Sequence, residues 1–455
     1  MAKTKTVFFC TECGNETARW QGQCPACSAW NTLVEEPAAS SRNKKTPASR
    51  FPDTSVPAAP LTTLSTRQEA RWPTGMNEFD FVLGGGVVPG SLILIGGEPG
   101  IGKSTLLLQV AARLAASGKR ALYISGEESG AQVRLRADRL EEDTAAVLFL
   151  GETDLGRILV QTGEHSPGVL FIDSIQTTYT EDIEGAPGNV GQVRECAARL
   201  QRYAKQHGVA VFLVGHVTKG GTVAGPKTLE HIVDTVLYFE DSGSLDHRIL
   251  RATKNRFGGV DEIGVFRMTA HGLIPVANPS ELFLQDRSAG VSGSAVLATI
   301  EGTRPLLVEV QALVTKASYG AAQRVVMGFD RQRLALLLAV LEQRAALPFG
   351  ELDVFLNVVG GVRIEETAGD LAVAAALISA VLNRELPPTA VFVGEVGLGG
   401  ELRAVSHVER RLSEAARMGF EFAYVPHKSV PRGNGNALRV VGLRDVKSLS
   451  EVISG

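Results

Sequence analysis

The chain has 455 residues, of which 44% are hydrophobic and 21% charged, and its formal net charge is −3. These values are typical of a globular protein with two to four domains, and they exclude a chain-wide basic surface for nucleic acid. The longest apolar run, 371–382, is too short to cross a membrane. We therefore expect a cytoplasmic protein that does not contact a membrane.

Four of the five cysteines lie within the first 27 residues, in two C-x2-C pairs. Two such turns direct four thiolates at one tetrahedral Zn²⁺ ion. A segment of this length cannot build a hydrophobic core without a metal or disulfides, which favours a structural zinc site. A redox dithiol pair is the alternative. The predicted zinc ligands are Cys10, Cys13, Cys24 and Cys27.

Residues 34–60 are rich in Pro, Ala, Ser and charged side chains and show no apolar periodicity, which predicts a flexible linker. Over residues 61–276, the short β-rich runs SLILIGG, RALYISG, GVLFIDS and VAVFLVGH alternate with helical stretches. That alternation predicts a mainly parallel sheet with helices on both faces. Residues 277–455 begin with strand patterns, continue with helical ones, and are expected to form a separate α/β domain.

The segment GEPGIGKST, Gly97–Thr105, matches G-x4-G-K-[ST] and lies between a predicted strand and a predicted helix. In this motif, backbone N–H groups face the phosphates of ATP. Lys103 would reach the β- and γ-phosphates, and the Ser104 hydroxyl would ligate Mg²⁺. A chance glycine turn is the alternative. The predicted nucleotide contacts are Gly97, Glu98, Pro99, Gly100, Ile101, Gly102, Lys103, Ser104 and Thr105.

Polar side chains follow three other predicted strands. Asp173 ends GVLFID and suits the role of holding Mg²⁺ through its water shell, although it could instead cap a helix. Glu127 and Glu128 follow YISG, where a carboxylate can polarise the attacking water, and a solvated acidic turn is the alternative. His216 follows VAVFLVG and could sense the γ-phosphate, or it could simply be a histidine in a loop.

The order of these parts resembles the RecA-type ATPase core. The whole chain resembles the bacterial DNA repair family RadA, also called Sms, in its four-cysteine finger, P-loop core, KNRFG sequence and tail similar to the Lon protease domain. The resemblance implies a homo-hexameric, ring-forming ATPase that binds single-stranded DNA and moves on it. It also implies extension of branched recombination intermediates by branch migration, with the RecA recombinase as a functional partner.

The resemblance also assigns individual residues. It gives Glu127 the role of catalytic glutamate and His216 that of γ-phosphate sensor. It identifies Thr177–Glu195 and Thr218–His231 as DNA-facing loops. In the second loop, Lys219 and Lys227 lie among glycines and suit contact with phosphates, although a flexible surface loop is the alternative. The first loop is acidic for most of its length.

The sequence KNRFG, residues 254–258, follows a predicted strand far from the P-loop in the sequence. In RecA-type rings, the equivalent turn reaches the nucleotide of the neighbouring subunit. Lys254 and Arg256 would project from the same side of an extended segment, with Arg256 acting as an arginine finger. An ordinary basic hairpin end and a contact with DNA are the alternatives.

In the tail, Ala368 and Glu409 stand where the Lon family has its serine nucleophile and lysine base. Without those groups no acyl-enzyme can form, so we expect no proteolysis. The competing function is an ATP-switched DNA-binding scaffold without motor activity. Four arginines near the second Lon-like segment are expected to form a solvated helix face or a patch for the DNA backbone. They are Arg403, Arg410, Arg411 and Arg417.

The predicted fold class is α/β: a RecA-like P-loop ATPase core with a mainly parallel sheet, a small zinc ribbon, and a C-terminal α/β domain similar to the Lon protease domain. The predicted division is a zinc finger over 1–33, a linker over 34–60, the ATPase domain over 61–276 and the Lon-like domain over 277–455.

Overall fold

The computed structural model describes residues 6–10, 15–26, 28–37, 60, 71–216, 226–241, 247–287, 290–317, 322–431 and 438–455. Three predicted site residues, Cys13, Cys27 and Lys219, lie outside this set. The chain divides into two compact units: Met1–Glu240 with Arg248–Pro275, and Asp241–His247 with Val276–Gly455.

The elements up to residue 275 form a small ribbon and a nine-stranded sheet with its helices. The strands are β1 (Thr6–Cys10), β2 (Glu16–Thr17), β3 (Leu33–Pro37), β4 (Leu92–Gly97), β5 (Ala121–Ser125), β6 (Val147–Leu150), β7 (Val169–Asp173), β8 (Ala210–His216), β9 (Thr235–Asp241), β10 (His247–Asn255), β11 (Ile263–Thr269) and β12 (Gly272–Pro275). The helices are α1 (Asn77–Leu83), α2 (Lys103–Ala116), α3 (Gly130–Ala137), α4 (Leu155–His165) and α5 (Val190–His207).

The remaining elements belong to the second unit. The strands are β13 (Ser294–Glu301), β14 (Arg304–Lys316), β15 (Arg324–Met327), β16 (Leu352–Val358), β17 (Ala390–Phe392), β18 (Glu395–Val396), β19 (Leu402–Arg403), β20 (Phe422–Pro426) and β21 (Arg439–Leu443). The helices are α6 (Pro279–Leu284), α7 (Arg331–Ala345), α8 (Asp370–Leu382), α9 (Val408–Arg417) and α10 (Val446–Ser454).

The large sheet of the first unit has the strand order β12-β11-β10-β9-β4-β8-β7-β5-β6. The strands from β9 through β6 in this order pair in parallel, which confirms the mainly parallel sheet predicted from the alternating pattern. Because their carboxyl ends meet at one edge, the polar residues that follow β4, β5, β7 and β8 are brought to the same edge.

Helices cover both faces of this sheet. Because successive strand residues point in opposite directions, each strand contributes side chains to two separate cores. From β4, Ile93 and Ile95 pack in one core with Leu107 of α2. Leu92 and Leu94 pack in a second core with residues of α5, such as Leu200. The four predicted runs are therefore confirmed as β4, β5, β7 and β8, and each is apolar except at its carboxyl end because both of its faces are buried.

The second unit is built on a seven-stranded sheet of order β15-β16-β14-β13-β17-β20-β21. Helix α8, whose first ten residues are buried, contains the longest apolar run of the sequence. Its all-round hydrophobicity is explained by burial within the protein. Among the residues that the structure describes, no helix is both long and apolar enough to cross a membrane.

The expectation that four arginines of this unit form one solvated patch is wrong for Arg411. Its side chain is fully buried on the inner face of α9 and donates two hydrogen bonds to the Glu366 carboxylate and one to the Ala298 carbonyl. Two others also have acidic partners: Arg417 pairs with Glu414, and Arg403 with Glu401. Arg410 is exposed.

Candidate nucleotide site

The P-loop connects the end of β4 to the start of α2 through three glycines in the left-handed region, Gly97 (φ 152°), Gly100 (φ 77°) and Gly102 (φ 115°). A Cβ atom on Gly102 would lie 2.7 Å from Met268 Cε, and one on Gly97 would lie 3.0 Å from Phe239 Cβ. Backbone dihedrals and close packing both demand glycine at these two positions. The loop therefore has the shape that allows its N–H groups to surround phosphates.

Lys103, the first residue of α2, is only 3% exposed. Its Nζ atom donates hydrogen bonds to the Gly97 and Glu98 carbonyls, both at 2.8 Å. Burial lowers the pKa of the Lys103 ammonium, whereas the charges of Asp173 and Glu127 oppose that shift. The ammonium therefore lies where the loop backbone and the two carboxylates act on it together, which fits a role in binding phosphate.

Asp173, the last residue of β7, is 5% exposed, and its Oδ2 atom accepts a hydrogen bond of 2.7 Å from the Tyr123 hydroxyl. Burial and the nearby Asp173 charge raise the pKa of Tyr123 well above its usual range, so that the hydroxyl remains a donor. The alternative that Asp173 caps a helix is excluded, because the next helix, α5, is capped by Asn189. A buried acid held by a donor suits a ligand of hydrated Mg²⁺.

The two glutamates after β5 have different surroundings. Glu127 accepts a hydrogen bond from Ser174 Oγ, and His216 Nε2 lies 3.4 Å from its Oε1 atom. Contact with His216 lowers the pKa of Glu127; burial opposes the shift, and the Ser174 hydrogen bond contributes to it. Glu128 instead forms an ion pair with Arg136. Glu127, rather than the ion-paired Glu128, therefore stays the residue that we predict to act on a water molecule.

His216, the last residue of β8, lies beside Gly97 in the parallel register of β4 and β8. Its side chain is partly buried and contacts Glu127. The structure thus brings Lys103, Glu127, Asp173 and His216 together at one edge of the sheet. Their roles in catalysis stay predictions.

The two cations of KNRFG contact one neighbouring segment, residues 230–234. Lys254 Nζ donates to the Glu230 carbonyl and, at 2.9 Å, to the Val233 carbonyl. Arg256 Nη1 lies 3.0 Å from Asp234 Oδ1, and the backbone N–H of Arg256 donates to the Asp234 carbonyl. Asp234 therefore holds both the backbone and one guanidinium nitrogen of Arg256, while half of the side chain remains accessible to solvent.

Asp234 also shows where this turn lies. Its Oδ2 atom accepts a hydrogen bond of 3.1 Å from the backbone N–H of Leu92, the first residue of β4, whereas the P-loop follows the last residue of that strand. Six strand residues span roughly 17 Å at the usual rise. Arg256 consequently lies at the opposite edge of the sheet from the P-loop of its own chain.

Two residues that sequence reasoning missed hold this turn in place. Asp234 anchors Arg256, and the Arg71 guanidinium donates a hydrogen bond to the Phe257 carbonyl. The Asn255 carboxamide completes the turn by accepting a hydrogen bond from the Phe257 N–H. No local sequence signal marks Asp234 or Arg71, because their partners lie 22 and 186 residues away along the chain.

The first predicted DNA-facing loop, Thr177–Glu195, folds around the buried Gln192 side chain. Gln192 Nε2 donates to the Thr180 and Ile183 carbonyls, both at 3.0 Å. In the second loop, Lys227 is exposed on a short 3-10 turn, and Lys219 lies outside the described residues. The predicted contact of these lysines with DNA stays a prediction.

The predicted metal centre lies in a three-stranded antiparallel ribbon of order β2-β1-β3. Cys10 and Cys24 are buried, and the backbone N–H of each donates to the carbonyl of the residue five positions later, Asn15 and Ala29 respectively. Two buried thiols in one ribbon fit half of a four-cysteine zinc site. The other two predicted ligands, Cys13 and Cys27, lie outside the described residues.

Comparison with known proteins gives matches to both functional parts. A family model described as an AAA domain matches residues 78–222, and a rubredoxin metal binding domain matches residues 8–35. The chain is 49% identical over 460 residues to the DNA repair protein RadA of Halalkalibacterium halodurans, with 100% of each chain covered. Identity is 49% to the RadA protein of Bacillus subtilis and 50% to that of Pseudomonas aeruginosa, covering 98% and 97% of each chain.

Proposed function

This chain belongs to the family of the DNA repair protein RadA, and we propose that it is a DNA-dependent ATPase that forms a ring on single-stranded DNA and drives branch migration. The observation that carries this proposal is the convergence of Lys103, Glu127 and Asp173 at the edge where the P-loop begins. A protein that bound nucleotide without hydrolysing it would not need a carboxylate in this site to activate water.

Each residue of the site has a separate task in the proposed reaction. Bound ATP and Mg²⁺ supply the phosphoanhydride and the cation that neutralises its charge. The N–H groups of the loop and Lys103 hold the phosphates, while Ser104 and Asp173 are the residues that would hold Mg²⁺. Glu127 orients the attacking water and accepts its proton at a carboxylate oxygen, and His216 fixes the position of that carboxylate.

The proposed ring follows from the position of Arg256. Because its guanidinium lies at the edge opposite its own P-loop, any nucleotide that it serves must be bound by a neighbouring subunit. An arginine finger of this kind typically raises the hydrolysis rate by about 10³–10⁵. A homo-hexamer is the ring size that we propose, with single-stranded DNA and branched recombination intermediates as substrates and the RecA recombinase as a functional partner.

The test compares ATP hydrolysis with and without single-stranded DNA and, in parallel, strand displacement on a forked duplex. We expect DNA to stimulate hydrolysis and hydrolysis to drive displacement. Lys103→Ala should lose both, since its ammonium is the buried cation of the site. DNA-stimulated hydrolysis without displacement would support the ATP-switched scaffold instead, and unchanged turnover in Lys103→Ala would refute the assignment of the P-loop.

We further propose that the second unit is not a protease. Ala368, which precedes α8 where Lon-type enzymes have their serine, has a buried methyl side chain. Glu409 occupies the position of the lysine base and is exposed in the first turn of α9. Casein incubated with the protein and ATP should stay intact, and ATP-dependent cleavage would contradict this assignment.

A further inference from the structure

The ribbon carries two tryptophans on its surface. Trp20 is 58% exposed and Trp30 is 69% exposed, although tryptophan is normally among the more buried residue types. A methyl group on Gly22 would lie 3.5 Å from the Trp30 ring and 4.0 Å from the Trp20 ring, so both indoles border the same glycine. They therefore form one aromatic surface.

The third tryptophan of the chain shows the contrast. Trp72 packs against a hydrophobic core of the first unit, and the Lys119 ammonium lies 4.5 Å from its ring centroid. Within the described part of the chain, Trp20 and Trp30 have no such packing: the buried core of the ribbon consists of Cys10, Cys24 and Leu33, with Phe8 packed against it. Exposed aromatic area of this size is typical of a binding surface.

The charge around the two rings indicates the class of ligand. From Thr17 to Val34 the sequence contains Arg19, two glutamines and no acidic residue. Arg19 is exposed and directly precedes Trp20. Glu16 and Glu35 bound this window, so the feature that matches the chemistry of proteins that stack unpaired bases is the exposed cation next to the exposed rings. A duplex is a poorer ligand, because its bases are already stacked on one another.

We propose that Trp20 and Trp30 form a stacking surface for unpaired bases of single-stranded DNA, with Arg19 attracting the adjacent phosphates. This inference rests on the proposed action on single-stranded DNA. It assigns a part of that contact to the metal ribbon, separate from the nucleotide-binding sheet. Stacking on aromatic faces tolerates any base, so the contact would suit a protein that moves along DNA of every sequence.

The experiment uses the full chain carrying Trp72→Phe, so that only the two ribbon indoles fluoresce. It is titrated with an oligothymidylate, in the presence of Mg²⁺ and a non-hydrolysable ATP analogue. We expect the oligonucleotide to quench the fluorescence, because stacked bases quench indole emission. An abasic oligonucleotide of the same length should quench weakly. Equal quenching by the two ligands would overturn the stacking proposal.

Substitutions separate stacking from a general apolar contact. Trp20→Leu or Trp30→Leu should weaken oligothymidylate binding roughly 5- to 100-fold, as expected for the loss of one stacked base, whereas Trp20→Phe and Trp30→Phe should retain most of the affinity. Val34→Ala removes another exposed apolar side chain of the ribbon, 40% exposed, and should change nothing. Leucine variants that bind like the unsubstituted chain would refute the proposal.

The zinc content and basal ATPase activity of each variant are measured beside its affinity. A leucine variant that keeps both and loses affinity supports the stacking surface, and affinity restored by phenylalanine distinguishes this from misfolding of the ribbon. If the unsubstituted chain fails to bind oligothymidylate, the proposed function itself is wrong. If it binds and the leucine variants bind equally, only the stacking surface is wrong.

Discussion

At the scale of single residues, Glu127 and Glu128 occupy adjacent positions after β5 and have different partners. The Glu127 carboxylate contacts Ser174 and His216 and is close enough to Lys103 for their charges to interact. The Glu128 carboxylate is held by Arg136, and its backbone N–H bonds to Ser125 Oγ. Two residues with the same chemistry therefore have different surroundings, and we predict that Glu127 is the one that activates water.

We expect Glu127→Gln to lower kcat for ATP hydrolysis by about 10²–10⁴, because the amide cannot accept a proton from water. Affinity for a fluorescent ATP analogue should change little. Glu128→Gln is the matched control and should retain most of the activity, since its partner Arg136 lies outside the reaction. Comparable losses in the two variants would refute the assignment of Glu127 as the base.

The pH dependence of hydrolysis should depend on the same carboxylate. Contact with His216 lowers the pKa of Glu127, so the carboxylate stays ionised, and able to act as a base, below the ordinary range of a glutamate. We expect the acidic limb of kcat against pH that belongs to Glu127 to move to higher pH in His216→Ala, because the main cause of the lowered pKa is removed.

The control for that experiment is His165→Ala, which changes an exposed histidine at the end of α4. Its acidic limb should coincide with that of the unsubstituted protein. An acidic limb that stays in place in His216→Ala would show that the contact between His216 and Glu127 has no influence on the ionisation of the carboxylate.

At the scale of elements, helix α9 carries two adjacent arginines, of which Arg411 is buried and Arg410 is exposed. Arg411 shares the inner face with Val408, Leu412 and Ala415, which are spaced three or four residues apart and buried. The Glu366 carboxylate, which also accepts hydrogen bonds from Thr299 and Ile300, neutralises it. The pair ties α9 to β13 and to the turn before α8.

Arg411→Ala should destabilise the second unit by about 3 kcal/mol, because it leaves the charge of the Glu366 carboxylate without a partner. We choose the lower end of the range for a broken buried ion pair because Glu366 is partly exposed. The measurement is hydrogen exchange of the β13 amides. The adjacent and exposed Arg410→Ala should change that protection by less than about 0.5 kcal/mol. Equal protection in the two variants would contradict the structural role of Arg411.

At the scale of the whole molecule, the position of Arg256 makes assembly part of the proposed mechanism. Arg256 is held by Asp234, which accepts a hydrogen bond from Leu92 at the amino end of β4. The P-loop begins at the carboxyl end of the same strand. Lys254 lies in the same place, and its pKa is lowered first by burial and then by the nearby Arg256 charge. The action of both cations on a different subunit stays a prediction.

Mixing Lys103→Ala with Arg256→Ala subunits tests this arrangement. Each variant alone should be inactive. At equal mixing, about a quarter of head-to-tail interfaces combine an intact P-loop with an intact arginine, so ATPase activity should partly return. The control mixture pairs Lys103→Ala with Glu127→Gln, whose defects lie in the same site and should not complement. No recovery at any mixing ratio would refute action in trans.

The features that could be predicted before folding was known are those whose chemistry is local. The P-loop, the two cysteine pairs and the apolar strands could be predicted because their residues are close along the chain and their spacing alone sets the geometry. The fold class followed from the alternation of strands and helices, because parallel strands need helical crossovers. The family matches to the ATPase domain and the metal ribbon agree with those predictions.

Features that depend on residues far apart in the sequence became visible only in the folded chain. It distinguished Glu127 from Glu128 through Ser174, His216 and Arg136, buried Arg411 against Glu366, and fixed Arg256 to Asp234 at the edge opposite the P-loop. The physical reason is that the availability of a charged side chain depends on its burial and its partners. Those partners come from strands and helices that meet only when the chain has folded.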